Sequence, residues 1–523
     1  MPISRFAYLL VLAAASWLFL WNLGANSISL RSDEVIYVRA TQAVLHNGDI
    51  FPLMHGGVPM YEKPPLKLWL GSLAPLMLGE SNLSFRLLDG VLGVLAVILT
   101  VSVMRAISGS MWLGMLSGVL LFGMPELVIS HHGFRRAVLD GLLTVVTLLA
   151  GYETWRIVVS RNSAVSEKII VRHYITVGAL CSVAVLTKSV AGFVPAACAL
   201  ATLLEPTSKK SSAPVDEMRA VASSPAPVIP PPAAVGSVRG TAGNRAWLWI
   251  VSIPLATLLV YCGALWFVAG AKALKVFIGV EILTRTFSGF EGHNTGQNWF
   301  YLWSLFSRGA AVPRLLLYVG VLGAFVSFHK EQSVRFLLVW AGLPVILYSL
   351  AASKVPWYLN PFLPFIGMLA VAGTAQIVTR AAQKWGKVVA GAIALLVALA
   401  AVPAYSRAVV RHVKVVNSST ERLEIDKVVE SLKKDYSRFA IIDDALSGWT
   451  NPRKGRFNVE GIYREMLKPG LRSVKEVREF APLPGEVVLI KEESLNQIPP
   501  GWRAIAKIAP FASRGWTVVA VVY

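Results

Sequence analysis

Apolar runs of roughly 17–23 residues recur along most of the chain, each long enough to cross the hydrocarbon core of a bilayer as a helix. They cover approximately 6–22, 86–104, 111–129, 137–155, 173–187, 190–204, 246–268, 313–328, 336–352, 360–379 and 387–405. A chain patterned in this way reads as an all-α polytopic membrane protein. One or two further short spans fit within 270–312, so about 11–13 transmembrane helices are expected. Composition agrees: of 523 residues 55% are hydrophobic and only 15% charged, where a soluble domain carries nearer a quarter. The first run, Phe6 to Trp21, is not followed by a small-residue cleavage site and reads as a retained span rather than a signal peptide.

Short loops set the orientation. Those around Arg105, Arg156–Arg172, Lys209–Arg245, Lys330–Arg335 and Arg380–Lys387 are basic and nearly free of acids, and are expected in the cytoplasm. With the N-terminus inside, eleven crossings bring the C-terminal tail outside, together with loops 23–85, 130–136, 269–312 and 353–359. The net charge of +20 is spread over many short loops. That pattern suits anionic headgroups and phosphorylated lipids rather than nucleic acid.

Residues 205–245, rich in Pro, Ala and Ser, read as a disordered cytoplasmic linker. From about Ser406 charges appear every few residues and the long apolar runs stop. Glu421–Lys434 has the pattern of an amphipathic helix, and Phe439–Ile442, Glu486–Ile490 and Trp516–Val522 those of strands. The expected division is a membrane domain, 1–405, and a small α/β domain, 406–523, on the outer face. Cys181, Cys198 and Cys262 all lie in apolar runs, so no disulfide framework or thiolate metal site is offered. There is no internal repeat, phosphate-cradling glycine loop or dinucleotide fingerprint, and no nucleotide cofactor is expected.

Charge is concentrated where the outer loops meet the spans, and intramembrane or rim charge is costly unless it is used. Asp33-Glu34 follow Ser32 at the start of a predicted helix, Glu34–Leu45. Helix-start chemistry explains acids there. A general base beside a second carboxylate explains them equally well, because a low-dielectric rim raises a carboxylate's proton affinity. In Tyr61-Glu62-Lys63-Pro64-Pro65 the two prolines fix an extended backbone. An acid and a base on a rigid turn suit a metal or phosphate site, the plainer reading being a lysine snorkelling to headgroups. Lys67 and Trp69 then open an amphipathic interfacial stretch.

His131-His132-Gly133-Phe134-Arg135-Arg136 precede Asp140 at the entrance to the fourth span. Arg136 and Asp140, four apart, are placed to pair along one helix face. Adjacent histidines point apart, so their metal signal is weak. Thr187-Lys188-Ser189 interrupts two apolar runs. Glu281 and Arg285 lie four apart in an expected interfacial helix followed by His293, Asn298, Trp299 and Tyr301, and Ser353-Lys354-Val355-Pro356-Trp357-Tyr358 joins two late spans. Each cluster alone fits an aromatic and basic membrane belt. Together they put Lys63, Lys188, Arg285 and Lys354 on one face, which is what a lipid phosphate or pyrophosphate requires.

The ordered set over residues 5–380 resembles the C superfamily of integral-membrane glycosyltransferases, specifically the aminoarabinose–lipid A transferase and protein O-mannosyltransferase group. It comprises Asp-Glu after the first span, Tyr-Glu-Lys-Pro-Pro, Arg-x-x-x-x-Asp, Leu-Thr-Lys and Ser-Lys-x-Pro-x-Tyr. The resemblance implies a polyprenyl-phosphate sugar donor, an active site outside the cytoplasm, and inversion at the anomeric carbon. It implies Asp33 as catalytic base and Asp140 as support for Asp33 or the acceptor. It further implies Lys63, Arg285 and Tyr358 on the donor phosphate, and Glu62 helping to hold a divalent cation. One departure is plain: where the aminoarabinose transferases carry a metal-holding His after the acid matched by Glu281, this chain has Ile282.

The expected activity is therefore sugar transfer from a polyprenyl phosphate to an extracytoplasmic lipid, glycan or protein, in the plasma (inner) membrane. A lipid-linked-sugar flippase would gather similar cations, but should carry charge in broken helices near the midplane. A non-catalytic scaffold would have no need of Asp33.

Overall fold

The computed structural model describes residues 3–24, 33–55, 58–130, 132–161, 165–204, 245–288, 297–307, 313–329 and 331–417, and five strands beyond them. Every expected apolar run falls on a helix. Among the described residues, eight helical segments are long and apolar enough to cross a membrane, and Leu66–Leu78, Met111–Gly123 and Arg314–Ser327 are shorter apolar helices. The protein is a multi-pass membrane protein built as a helical bundle.

Local sequence explains where the helices begin and end. Ser81 caps Asn82–Ser108 in a reciprocal box with Ser84, and Gly109, at φ +70, closes it in the left-handed conformation. Ser110 caps the next helix, Met111–Leu120. Glu167–Lys188 and Val194–Leu204 are separated by a short 3-10 turn entered at Ser189, whose φ is +55. The loop before Asp140–Arg161 is anchored to the end of the first helix, Ile3–Leu20. There the Arg135 guanidinium donates to the carbonyls of Leu18 (2.7 Å) and Trp21 (2.9 Å), satisfying acceptors that a helix end leaves open.

Asp140–Arg161 is the most enclosed of the long spans. Aromatic packing of Trp340 against Phe336 and Phe365 fills the space beside it. On another side, Gly320 and Gly373 bring Arg314–Ser327 and Leu363–Trp385 into backbone contact, and a Cβ on either glycine would collide with the other helix. Small residues at such crossings are how helices associate where no hydrophobic drive exists between them.

Three features go beyond the sequence reading. Leu248–Leu274 breaks at Gly270 (φ +60) and continues as a π-helix, Lys275–Ser288. Backbone bonds from Ala352 N to Thr286 O (2.7 Å) and from Ser353 N to Arg285 O (3.0 Å) tie that π-helix to the end of Gln332–Leu350. The last helix runs Lys387–Asn417, past position 405 where the composition changes, because the charged residues after Ser406 continue it without an interruption.

Two short strands before Leu66–Leu78, β1 (Met54–His55) and β2 (Val58–Pro59), pair antiparallel. After the helix Lys387–Asn417 comes a mixed five-stranded sheet of β3 (Arg438–Ile442), β4 (Leu471–Val474), β5 (Glu486–Lys491), β6 (Arg503–Phe511) and β7 (Trp516–Val522), in the order β4-β3-β5-β7-β6. Strand β3 pairs parallel with β4 and β5, and β7 antiparallel with β5 and β6. The expected helix Glu421–Lys434, the linker 205–244, His131 and His293 lie outside the described residues.

Candidate active site at one end of the bundle

Asp33 and Glu34 open the helix Asp33–Asn47 and diverge completely. Glu34 is 1% exposed and takes Arg86 Nε at 2.6 Å, Arg86 Nη2 at 3.1 Å, Arg136 Nη1 at 3.2 Å and the Ala137 amide at 3.0 Å. Burial alone would raise its carboxyl pKa, but the two guanidinium groups and that amide outweigh it and hold the pKa below the usual range. Glu34 is thus an anchor that fixes the start of this helix against Asn82–Ser108, and it has no lone pair available for proton transfer. The sequence expectation of a catalytic Glu34 is corrected accordingly.

Its neighbour Asp33 is 29% exposed on its side chain and accepts a hydrogen bond from Tyr37 Oη at 3.3 Å. Burial first, then the charges of Asp33, Asp140 and Glu281, push the Tyr37 hydroxyl's pKa far above its ordinary value. Tyr37 therefore remains a protonated donor.

The Arg136–Asp140 pair suggested by their spacing does not form. Arg136 lies in the loop before the helix starts at Asp140, so the i,i+4 geometry never applies, and Arg136 turns to Glu34. Asp140, 2% exposed, instead receives Lys188 Nζ at 2.6 Å on one oxygen and His132 Nδ1 at 3.0 Å on the other. The His132 ring stacks on Trp357 with centroids 4.5 Å apart and planes 10° apart, and its Nε2 faces Asp33 Oδ2 at 4.0 Å.

From Lys188 the line of polar groups continues. Lys188 Nζ stands 5.7 Å from the centre of the Tyr358 ring, and Arg285 Nη1 donates to Tyr358 Oη at 3.4 Å. Arg285 Nε lies 2.7 Å from Glu281 Oε2, whose other oxygen pairs with Lys63 Nζ. Lys63 is held in turn by the bond from Tyr261 Oη to its backbone carbonyl, 3.2 Å. Asp33, His132, Asp140, Lys188, Tyr358, Arg285, Glu281 and Lys63 therefore form one continuous set, drawn from six segments of chain.

Its two ends are built differently. Lys63 and Arg285 share the Glu281 carboxylate, with Glu62 next to Lys63 in the chain. At the other end Lys188 pairs with Asp140, and Asp33 faces only the imidazole of His132 and the hydroxyl of Tyr37 among the described residues. Lys354 is not part of the set: its ammonium donates to Ala351 O at 2.7 Å at the end of Gln332–Leu350, a helix-terminus interaction. Lys67 makes a separate buried pair with Asp89 at 2.5 Å, which fastens Leu66–Leu78 to Asn82–Ser108.

A divalent cation at Glu62 and Glu281 is a poor match to these residues. Glu281 is already held by two cations, and Ile282, where an imidazole ligand is absent, packs in the apolar cluster of Tyr261 and Phe277. Among the described residues no three His, Cys, Asp or Glu side chains are grouped to hold an ion.

The fold that carries this rim at its helix ends is similar to that of solved integral-membrane glycosyltransferases. The family model for dolichyl-phosphate-mannose-protein mannosyltransferases matches residues 8–211. Over its full length the chain superposes on the crystal structure of ArnT from Cupriavidus metallidurans bound to undecaprenyl phosphate, with a TM-score of 0.64, 14% identity and coverage of 98% of this chain and 97% of that one. The apo oligosaccharyltransferase of Archaeoglobus fulgidus superposes with a TM-score of 0.50, 14% identity, and coverage of 83% and 62%.

In sequence, the chain is 25% identical over 388 residues to an undecaprenyl phosphate-alpha-4-amino-4-deoxy-L-arabinose arabinosyl transferase of Enterobacter sp. (strain 638), covering 70% of this chain and 60% of the relative. An uncharacterised Aquifex aeolicus protein is 24% identical, covering 69% and 62%. The chain thus spans about three fifths of the length of the curated relatives it matches.

Proposed function

We propose that this protein transfers a sugar from a polyprenyl phosphate to an extracytoplasmic acceptor (a lipid, glycan or protein), with inversion at the anomeric carbon. The observation that carries this reading is the polar set itself, with the cations Lys63 and Arg285 gathered at one end and the partly exposed Asp33 carboxylate at the other. A polyprenyl donor stays in the bilayer, so its sugar–phosphate bond sits at the rim where these side chains meet. Lys63, Arg285 and the Tyr358 hydroxyl face the phosphate, with Lys188 beside them, and stabilise the negative charge that grows as the glycosidic bond breaks. Asp33, at the opposite end, takes the acceptor's proton as its oxygen attacks the anomeric carbon. One direct displacement requires no covalent enzyme intermediate, and no step is routed through a metal.

The site belongs to the outer face of the inner membrane, in the orientation that the basic loops favour. The sheet-bearing C-terminal segment is an outer domain that serves acceptor capture rather than bond formation, since none of the set lies beyond Tyr358. Reporter fusions after Lys210 and after Val415 should report opposite sides of the membrane; a shared side would overturn this orientation.

The activity is tested with purified protein, a radiolabelled polyprenyl-phosphate sugar and cell-envelope extract. A new glycoconjugate is expected, whereas a flippase or a scaffold would form none. Asp33→Asn should lower turnover by about 10²–10⁴ while the protein folds and binds polyprenyl phosphate as before. A normally folded Asp33→Asn protein with near-full turnover would remove Asp33 from the base role.

A further inference from the structure

We infer that His132 receives the proton that Asp33 takes from the acceptor, so that the working base is the linked set Asp33, His132 and Asp140. This rests on the proposed sugar transfer. Three observations on the histidine support it, none of them visible in its sequence context.

The first is its protonation pattern. Asp140 Oδ2 can only accept, so His132 Nδ1, 3.0 Å away, carries a proton toward it. In the neutral imidazole that leaves the lone pair on Nε2, the atom facing Asp33 Oδ2 at 4.0 Å. The second is restraint. The ring is stacked on Trp357, its backbone amide donates to Ser130 Oγ (3.2 Å), and its carbonyl accepts from Asn360 Nδ2 (3.2 Å). At 4% exposure it has little freedom to turn elsewhere.

The third is electrostatic support. Around the ring stand Asp33 from Asp33–Asn47 and Asp140 from Asp140–Arg161, with Lys188 reaching it only through Asp140, while the ring of Trp357 is uncharged. Both ring nitrogens thus face a carboxylate oxygen, Asp140 on one side and Asp33 on the other. A purely structural histidine would need the Asp140 bond and the stacking, but not a second carboxylate on its other nitrogen.

The step balances without a co-reactant. The acceptor oxygen forms a bond to the anomeric carbon as the bond from that carbon to the phosphate oxygen breaks, and the electron pair leaves with the polyprenyl phosphate. The acceptor's proton passes to Asp33 and then to His132 Nε2, with Nδ1–H retained by Asp140, and is later released to water. The exchange restores the Asp33 carboxylate, with its negative charge, while product departs.

The test is the initial rate of transfer from radiolabelled polyprenyl-phosphate sugar to cell-envelope extract between about pH 5 and pH 9, for the wild type, His132→Gln and Asp140→Asn. Thermal stabilisation of each by polyprenyl phosphate is read in parallel. His132→Gln keeps a hydrogen-bonding group on Asp140 but cannot take a proton. Its rate should fall roughly 10²-fold, and its acid limb should move to lower pH, because a carboxylate titrates below an imidazole.

Asp140→Asn removes the charge that supports the imidazolium, and should move the limb in the same direction if His132→Gln fails to fold. Stabilisation by polyprenyl phosphate should survive in whichever variant is read. An acid limb unmoved in a folded variant, whatever its rate, overturns the assignment and leaves sugar transfer standing. A wild type that transfers no sugar overturns both.

Discussion

Glu34 and Glu281 are both carboxylates held by two cations at the same end of the bundle, and they are held differently. Around Glu34 each contact is closed: Arg86 binds in a fork, Arg136 and a backbone amide complete the set, and the carboxylate is 1% exposed. Around Glu281 the two cations come from separate segments, Lys63 from the turn before Leu66–Leu78 and Arg285 from the π-helix, with side chains 12% and 20% exposed. A saturated pair fixes geometry, because removing any member strands a buried charge. A carboxylate shared by two partly exposed cations keeps them poised and discharged until a stronger anion arrives. The same residue types thus make a closed anchor at Glu34 and a more accessible pair of cations at Glu281, and the difference lies in saturation and access.

The comparison can be broken by substitution. Arg86→Ala should have the largest effect, a loss of about 3–5 kcal/mol in unfolding free energy, because it leaves Glu34 buried beside Arg136 alone; detergent-solubilised thermal and denaturant unfolding would read it. A loss below about 1 kcal/mol would mean that the anchor is not one. Arg285→Ala should leave stability nearly unchanged and weaken polyprenyl-phosphate binding by about 1.5–3 kcal/mol, one charge-assisted bond. If stability falls and binding does not, the two clusters have been assigned the wrong way round.

Lys354→Ala should cost about 0.5–1.5 kcal/mol of stability with donor binding intact, since its ammonium caps Ala351. Lost donor affinity would return Lys354 to the phosphate set. The smallest effect comes from mild acid. The folded-state pKa of Glu34 lies below its ordinary value of 4.5, so its contribution to stability is fully present above about 4.5 and is lost as pH falls through the lower, folded-state value. Unfolding measured from pH 7 down to pH 5 should barely register it, and its loss should begin only below that; Glu34→Gln should flatten this acid-dependent part.

Much of this site could be read from the sequence because charge beside an apolar run is conspicuous. Asp33, Lys63, Lys188, Arg285 and Tyr358 each lie in a loop, break or interfacial stretch between such runs, and a single rim gathers them. Partnership was harder to read. Arg136 and Asp140 have helical spacing, yet the helix starts at Asp140, so Arg136 answers to a carboxylate 102 positions away. His132 gave only a weak metal signal, since what gives it a role, Asp33, Asp140 and Trp357, comes from three separate segments. Tyr37 looked like any aromatic residue of a short amphipathic helix.

In the C-terminal sheet, β3, β5 and β7 stand out as apolar strands. Strands β4 and β6 carry Arg472 and, in β6, Arg503 and Lys507 among apolar residues, which blurs the period-two pattern on which such a reading depends.

The glycine crossing of Arg314–Ser327 with Leu363–Trp385 also sets how firmly the two flanks of the rim are held. Backbone pressed on backbone has no side chains to swing aside, and Leu363–Trp385 begins directly after Tyr358 and Asn360. That wall of the bundle is a rigid jamb. On the other flank, Leu248–Leu274 bends at Gly270 into the π-helix bearing Glu281 and Arg285, and presents Leu259, Val260 and Phe267 outward. The break at Gly270 therefore joins that apolar outer face directly to the turn that carries Glu281 and Arg285, so a displacement of one would carry the other through a single bend in the chain.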